Sequence, residues 1–281
     1  MKTVLITGCS SGIGRDLVRA FLQLEWRVIG TMRRAPERQK LFEKESAEYG
    51  EKLLLRTLDV TSAANREAIV KELGSDPLDC LVNNAGFALF GALENTSEEQ
   101  LRNQLEVNLT APILLTKALL PHLRQAKGCV INISSMMGFV GFPLSSLYCS
   151  SKAGLSMFSE SLHHELAPHG VRVAVIEPGG FRTNFSTNVQ WGQGDDPAYR
   201  DATQGYRALQ TKLSTGEGKP PTAVIAKILQ LAGAQGPVPL RHRVGGDSVI
   251  SGILQKLIPN GLRLSLLGAM FRKIFSGGAH G

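Results

Sequence analysis

The octapeptide Thr7-Gly8-Cys9-Ser10-Ser11-Gly12-Ile13-Gly14 decides how the rest of this chain is read. It follows a short aliphatic run, Thr3–Thr7, and opens a helical pattern over residues 15–24. Glycines in such a turn let the chain bend tightly, let backbone approach a pyrophosphate, and let the helix pack close to the strand. The helix N-terminus adds free N–H groups and the positive end of its dipole. The spacing is GxxxGxG rather than the GxGxxG of the general dinucleotide fingerprint. A glycine loop can also be a plain structural turn; its place between strand and helix favours the anion site.

Working outward, further short β-branched or aliphatic runs occur at 27–31, 53–58, 80–83, 129–134 and 172–177, with helix-length segments between them. Alternation of this kind predicts βαβ units and a parallel sheet. Runs such as Val4-Leu5-Ile6 and Val130-Ile131-Asn132-Ile133 are continuous, as expected for strands covered on both faces. Right-handed crossovers then give an α/β, doubly wound, Rossmann-type sheet in a single domain over 1–281. Residues 1–185 read as its cofactor-binding and catalytic core. Residues 186–240 read as a substrate loop and lid, with an irregular, glycine-rich stretch at 186–218 followed by a helix at 222–234. Residues 241–281 read as a basic amphipathic tail, broken at Pro259.

Composition narrows the alternatives. With 281 residues and 43% apolar side chains, the chain can bury a core without covalent staples, so its four scattered cysteines read as reduced thiols. No window reaches the ~18 apolar residues of a membrane span. The N-terminus lacks the pattern of a secretory leader, which makes the cytoplasm the expected compartment. The formal charge of +7 is uneven: from Leu240 onward six basic side chains face only Asp247. No basic stripe is interleaved with aromatics, so nucleic acid is not an expected partner. The six histidines show no metal-ligand spacing, and no metal is expected.

Several motifs together resemble the short-chain dehydrogenase/reductase family. After the glycine loop come Asp59-Val60 at the end of the third strand run and Asn83-Asn84-Ala85-Gly86 at the end of the fourth. Asn108 lies in the following helix. Ser135 precedes Tyr148 by 13 residues, and Tyr148-Cys149-Ser150-Ser151-Lys152 is a YxxxK motif. Pro178-Gly179-Gly180-Phe181-Arg182-Thr183 closes the sixth run. The resemblance implies catalytic roles for Asn108, Ser135, Tyr148 and Lys152. It implies cofactor contacts from Gly8, Ser10, Ser11, Gly12, Ile13, Gly14, Asp59, Val60, Asn84, Ala85, Gly86, Tyr148, Lys152, Pro178, Gly179 and Thr183. Within the family, the glycine loop, Gly-Thr-Met-Arg at 30–33 and Glu-Pro-Gly-Gly-Phe-Arg-Thr look most like the 17β-hydroxysteroid dehydrogenase type 1 and retinol dehydrogenase branch.

An acidic residue at the end of the second strand would bind a ribose 2′-hydroxyl and select NAD, whereas arginine would accept a 2′-phosphate. The segment reads Thr31-Met32-Arg33-Arg34, with no carboxylate. NADP(H) is therefore the expected cofactor, with Arg33 the first phosphate ligand and Ser11, Arg15 or Arg34 as helpers. A tyrosine titrates near ~10 in water; Lys152, four residues on, shares its helix face and favours the phenolate. The resemblance makes Tyr148 the proton donor or acceptor at the substrate oxygen, Ser135 its partner in orienting that oxygen, and Asn108 the holder of a helix deformation. Spacing favours Ser135 over the neighbouring Ser134.

The expected reaction interconverts an alcohol and a ketone or aldehyde. Phe87, Leu89, Met136, Phe142, Leu144, Phe181, Phe185 and Trp191 fall at strand ends or in the lid, which suits an apolar, steroid-, retinoid- or lipid-like substrate. The competing readings are a non-catalytic NADP(H)-binding redox sensor or partner-binding protein, and a membrane-surface scaffold. The tail leaves three placements open: a cover over the substrate mouth, a contact with a second subunit in a homodimer or tetramer, or peripheral contact with a membrane.

Overall fold

The computed structural model describes residues 1–181, 188–215 and 219–276. Its strands are β1 (Thr3–Thr7), β2 (Arg27–Met32), β3 (Leu53–Thr57), β4 (Cys80–Asn83), β5 (Ala88–Phe90), β6 (Cys129–Ile133), β7 (Arg172–Pro178), β8 (Val189–Trp191) and β9 (Arg241–Val244). Its helices are α1 (Gly12–Gln23), α2 (Glu43–Tyr49), α3 (Ala63–Leu73), α4 (Glu98–Leu105), α5 (Ala111–Ala126), α6 (Ser146–Leu166), α7 (Arg200–Thr215), α8 (Thr222–Gly233), α9 (Gly246–Leu257) and α10 (Asn260–Ser276). Seven strands form one parallel sheet in the order β3-β2-β1-β4-β6-β7-β9.

The order reverses between β1 and β4, and the carboxyl ends of strands at such a switch point are where open α/β sheets bind their ligands. The continuous apolar runs are explained by burial on both faces. Val4 and Ile6 join one core cluster with Leu17, Phe21 and Ile228, while Leu5 joins the other with Leu115, Leu119 and Leu162. The six strand runs read from sequence all appear, shifted by at most one residue. Helix α1 starts three residues earlier than its apolar pattern indicates. Ser11 is extended (φ −160°) and Gly12, at φ +53°, turns the chain directly into the helix.

Two C-terminal expectations need correction. Within the stretch 186–218, the described residues 188–215 are not uniformly irregular: β8 pairs with β5, in register Phe90 with Trp191, and α7 follows. Its aromatic residues supply the reason, since Trp191 and Tyr206 pack edge-on against Phe90 at centroid distances of 5.8 and 5.3 Å. Nor does the tail begin at 241, because Arg241–Val244 is the seventh strand of the main sheet. Arg-His-Arg-Val lacks an apolar strand pattern. It is held instead by charge, with Arg241 2.8 Å and Arg243 3.4 Å from the fully buried carboxylate of Glu177 on β7. The break at Pro259 does separate two helices, α9 and α10. No described helix is long and apolar enough to cross a membrane.

Candidate active site

The glycine loop and the Asn-Asn-Ala-Gly segment are built as one unit. The Thr7 hydroxyl accepts from the amides of Asn84 (3.0 Å) and Ala85 (2.9 Å), and the Asn84 carboxamide donates to the carbonyls of Thr7 (2.8 Å) and Gly8 (3.2 Å). A Cβ at Gly14 would stand 2.4 Å from the Gly8 carbonyl oxygen, and one at Gly8 2.8 Å from Cα of Ala85. These glycines are thus required by chain packing before any ligand is considered.

The segment also fits a dinucleotide. Ser11, the residue capping α1, makes no side-chain bond to the helix amides, and no acidic residue occupies the first turn. The N–H groups of Gly12, Ile13 and Gly14 therefore meet no competing side-chain cap, beside half-buried Ser10. At Gly86 a Cβ would lie 3.0 Å from Oδ1 of Asn108 and 3.6 Å from Nζ of Lys152, so the missing side chain keeps open the space above them.

On the rim, Asp59 uses Oδ1 to accept from the amide and hydroxyl of Thr61, next to buried Val60. Arg33 is exposed just past β2 and pairs with no carboxylate among the described residues. Its suggested helpers are engaged elsewhere: Arg34 lies 3.7 Å from Glu37, and Arg15 donates to the Leu41 carbonyl at 3.1 Å.

The catalytic candidates converge from three elements. Tyr148 and Lys152 sit one turn apart on α6, both buried, with the ammonium 5.8 Å from the phenol ring centroid. The Tyr148 hydroxyl is hydrogen-bonded to the Ser135 side chain. Burial drives the phenol well above an ordinary tyrosine value, and the Ser135 bond partly opposes it. Burial also pulls Lys152 down to about 8, while its Nζ donates to the Ile133 carbonyl at 2.8 Å. The site therefore holds a protonated phenol ready to act as an acid.

Asn108 is 1% exposed in a π-helical stretch, Glu106–Thr110, that separates α4 from α5. Its amide donates to the Phe87 carbonyl (2.9 Å) and the Ser151 hydroxyl (3.2 Å), and its Oδ1 accepts from the Phe87 amide. Asn108 thus ties the chain after the Asn-Asn-Ala-Gly segment to α6. The two serines separate cleanly: Ser134 is turned into α6, bonded to the Lys152 carbonyl and Ser156, whereas Ser135 meets Tyr148. Cys149 packs near the Val140 carbonyl, and burial raises its thiol.

The wall beside Tyr148 comprises Ala88, Phe90, Met137, Leu144, Val189, Trp191, Tyr206 and Leu209. Leu144 and Trp191 match the apolar residues singled out above. Phe87, Leu89 and Met136 do not join this cluster. On the short strand β5, period-two alternation gives that face to Ala88 and Phe90. Phe185 and Thr183 lie outside the described residues.

Two contributors escaped the sequence reading. Tyr206 on α7 hydrogen-bonds Ser145 at 2.8 Å, three residues before Tyr148. Asp247 reaches from the start of α9 to accept from the Gly180 amide at 2.6 Å. A Cβ at Gly179 would overlap its carboxylate, 1.9 Å from Oδ1. Pro178 and Gly179 are thus held by the C-terminal segment. Gly245-Gly246-Asp247 was the available signal, an acid in the first turn of a helix after a glycine turn.

A family model described as short chain dehydrogenase matches residues 2–193. The chain belongs to the short-chain dehydrogenase family. It is therefore an oxidoreductase by family, and alcohol–carbonyl interconversion is the reaction that the family supports. An uncharacterized oxidoreductase, YusZ, of Bacillus subtilis is 35% identical over 284 residues, covering 98% of this chain and 99% of its own. Mouse retinol dehydrogenase 7 is 40% identical over 185 residues, 66% of this chain and 58% of its own length. This likeness agrees with the branch that the sequence motifs resemble. A solved short-chain dehydrogenase from Streptomyces avermitilis superposes with a TM-score of 0.79 at 34% identity, covering 99% of both chains. Among the described residues no cluster of His, Cys, Asp or Glu is arranged to hold a metal ion.

Proposed function

We propose that this short-chain dehydrogenase interconverts an apolar alcohol and its ketone or aldehyde with NADP(H), using Tyr148 as the acid–base group. The observation that carries the reading is the buried phenol of Tyr148, bonded to Ser135 and flanked by the Lys152 ammonium. A bound nicotinamide dinucleotide would supply or accept the hydride. The chain's own residues do the rest. Tyr148 gives its proton to the substrate oxygen in reduction and takes it back in oxidation. Ser135, already bonded to that phenol, orients the same oxygen. Lys152 lowers the cost of the phenolate once the proton has left.

The NADP(H) preference rests on Arg33, exposed just past β2 and paired with no carboxylate among the described residues, and on the lack of an acid in Thr31-Met32-Arg33-Arg34. The apolar wall around Phe90, Leu144 and Trp191 supports a hydrophobic substrate, as does the retinol named for a relative.

The test is a screen of retinoid aldehydes, steroid ketones and medium-chain ketones followed by NADPH absorbance. Turnover should occur with NADPH in preference to NADH. Arg33→Asp should shift the NADPH/NADH ratio of kcat/KM about ten- to hundredfold toward NADH, the worth of a charge-assisted contact. Equal losses with both nucleotides would remove Arg33 as the phosphate ligand.

A further inference from the structure

Helix α9 is amphipathic in the reverse sense. Its inner face carries Ser248, Ser251, Gly252 and Gln255: the Ser248 hydroxyl donates to the Glu177 carbonyl at 2.7 Å, and Gln255 donates to the Phe139 carbonyl at 3.1 Å. Gly252 sits directly over the Arg243 guanidinium, where a Cβ would come within 2.3 Å of Nη1. Its outer face carries Val249, Ile250, Ile253, Leu254 and Leu257, all exposed, Leu257 by 74%. Helix α10 carries exposed Leu262 and Leu266 one turn apart on the side away from Phe271, which meets Phe142 at 5.4 Å. Exposed single leucines are ordinary; seven large apolar side chains on the outer sides of two consecutive helices mark a contact surface.

Charge identifies what this surface fits. No Asp or Glu follows Asp247, whereas Lys256, Arg263, Arg272 and Lys273 do. Asp247 itself is turned back onto the Gly180 amide. A two-fold contact with a second copy would set the basic side chains of these helices against themselves, with no Asp or Glu beyond Asp247 on either helix to answer them. Exposed apolar side chains accompanied by exposed Lys256 and Arg272 instead match the boundary of an anionic bilayer. Neither helix can span a membrane, so the contact lies along the surface. We infer that α9 and α10 form a peripheral docking face for anionic lipid membranes.

The test needs neither substrate nor nucleotide. The full chain is floated with vesicles of phosphatidylcholine alone and of phosphatidylcholine mixed with phosphatidylglycerol. It should bind the mixed vesicles more tightly, and salt should weaken the difference. The triple variant Ile250→Gln/Ile253→Gln/Leu257→Gln should lose about a hundredfold or more in partitioning while keeping the wild-type melting temperature, because these side chains touch solvent. Lys256→Glu should weaken binding to the mixed vesicles several-fold and leave phosphatidylcholine binding unchanged. Failure of the wild-type chain to float with either vesicle would overturn the inference. So would a wild-type dimer in sedimentation that the triple variant converts to monomer without any change in vesicle binding.

Discussion

Helices α1 and α9 are both twelve residues long and both amphipathic, yet they face opposite ways. In α1 the large apolar residues Leu17, Val18, Phe21 and Leu22 are fully buried against the sheet. In α9 the buried positions are Ser248 and Gly252, and the large apolar residues look outward. Periodicity shows that a helix has an apolar side. It does not show what that side meets. The same contrast separates the core, where even Lys152 and Asn108 are buried with partners, from helix α9, which seats small polar groups on the core and leaves its large apolar ones exposed.

The largest effect expected from breaking this contrast is at Lys152 in the core. Lys152→Met should lower turnover by about a hundredfold or more, since the phenolate loses its nearby cation. Its stability effect has a defined sign. The buried ammonium titrates near about 8, below the ~10.4 of an unfolded lysine, so folding is penalised while the unfolded chain holds the extra proton. The penalty is complete below pH 8 and fades as pH rises toward ~10.4. Urea melts of the nucleotide-free proteins should therefore show the variant losing ground to wild type across that window. A pH-independent difference would mean that Lys152 is not held in a desolvated site.

A smaller effect, on stability alone, separates the two helices. Phe21→Ala in α1 should cost about 3–5 kcal/mol, because it opens a cavity under the sheet. Ile253→Gln in α9 should change the unfolding free energy by no more than about 0.5 kcal/mol in aqueous buffer. Comparable losses at both positions would mean that α9 hides its apolar face against protein in solution.

Much of the site was legible in the sequence because its constraints are local. Gly8, Gly12 and Gly14 answer to a tight turn and to backbone contacts shorter than a Cβ allows, and a four-residue spacing puts Tyr148 and Lys152 on one side of one helix. The strands were legible because burial on both faces forces continuous apolar runs. The seventh strand was not, since its place depends on Glu177, a carboxylate 64 residues from Arg241 in sequence. The support that Asp247 gives Gly180, across 67 residues, was hidden for the same reason. The choice between Ala88 and Phe87 as wall residues turned on the register of a three-residue strand, too short for its pattern to declare a face.

The most direct test of the central claim follows a label through the reaction. The wild-type chain and Tyr148→Phe are each incubated with NADPH deuterated at the transferred position of nicotinamide C4 and with the apolar carbonyl panel, and the alcohols are analysed by mass spectrometry. The account predicts deuterium on the carbinol carbon with the wild-type chain. With Tyr148→Phe, transfer should fall by about a hundredfold to ten-thousandfold, the worth of a positioned acid, while NADPH still quenches tryptophan fluorescence at the same concentrations. Equal transfer by the two proteins, or nucleotide binding by the wild-type chain with no label in any alcohol, would contradict it.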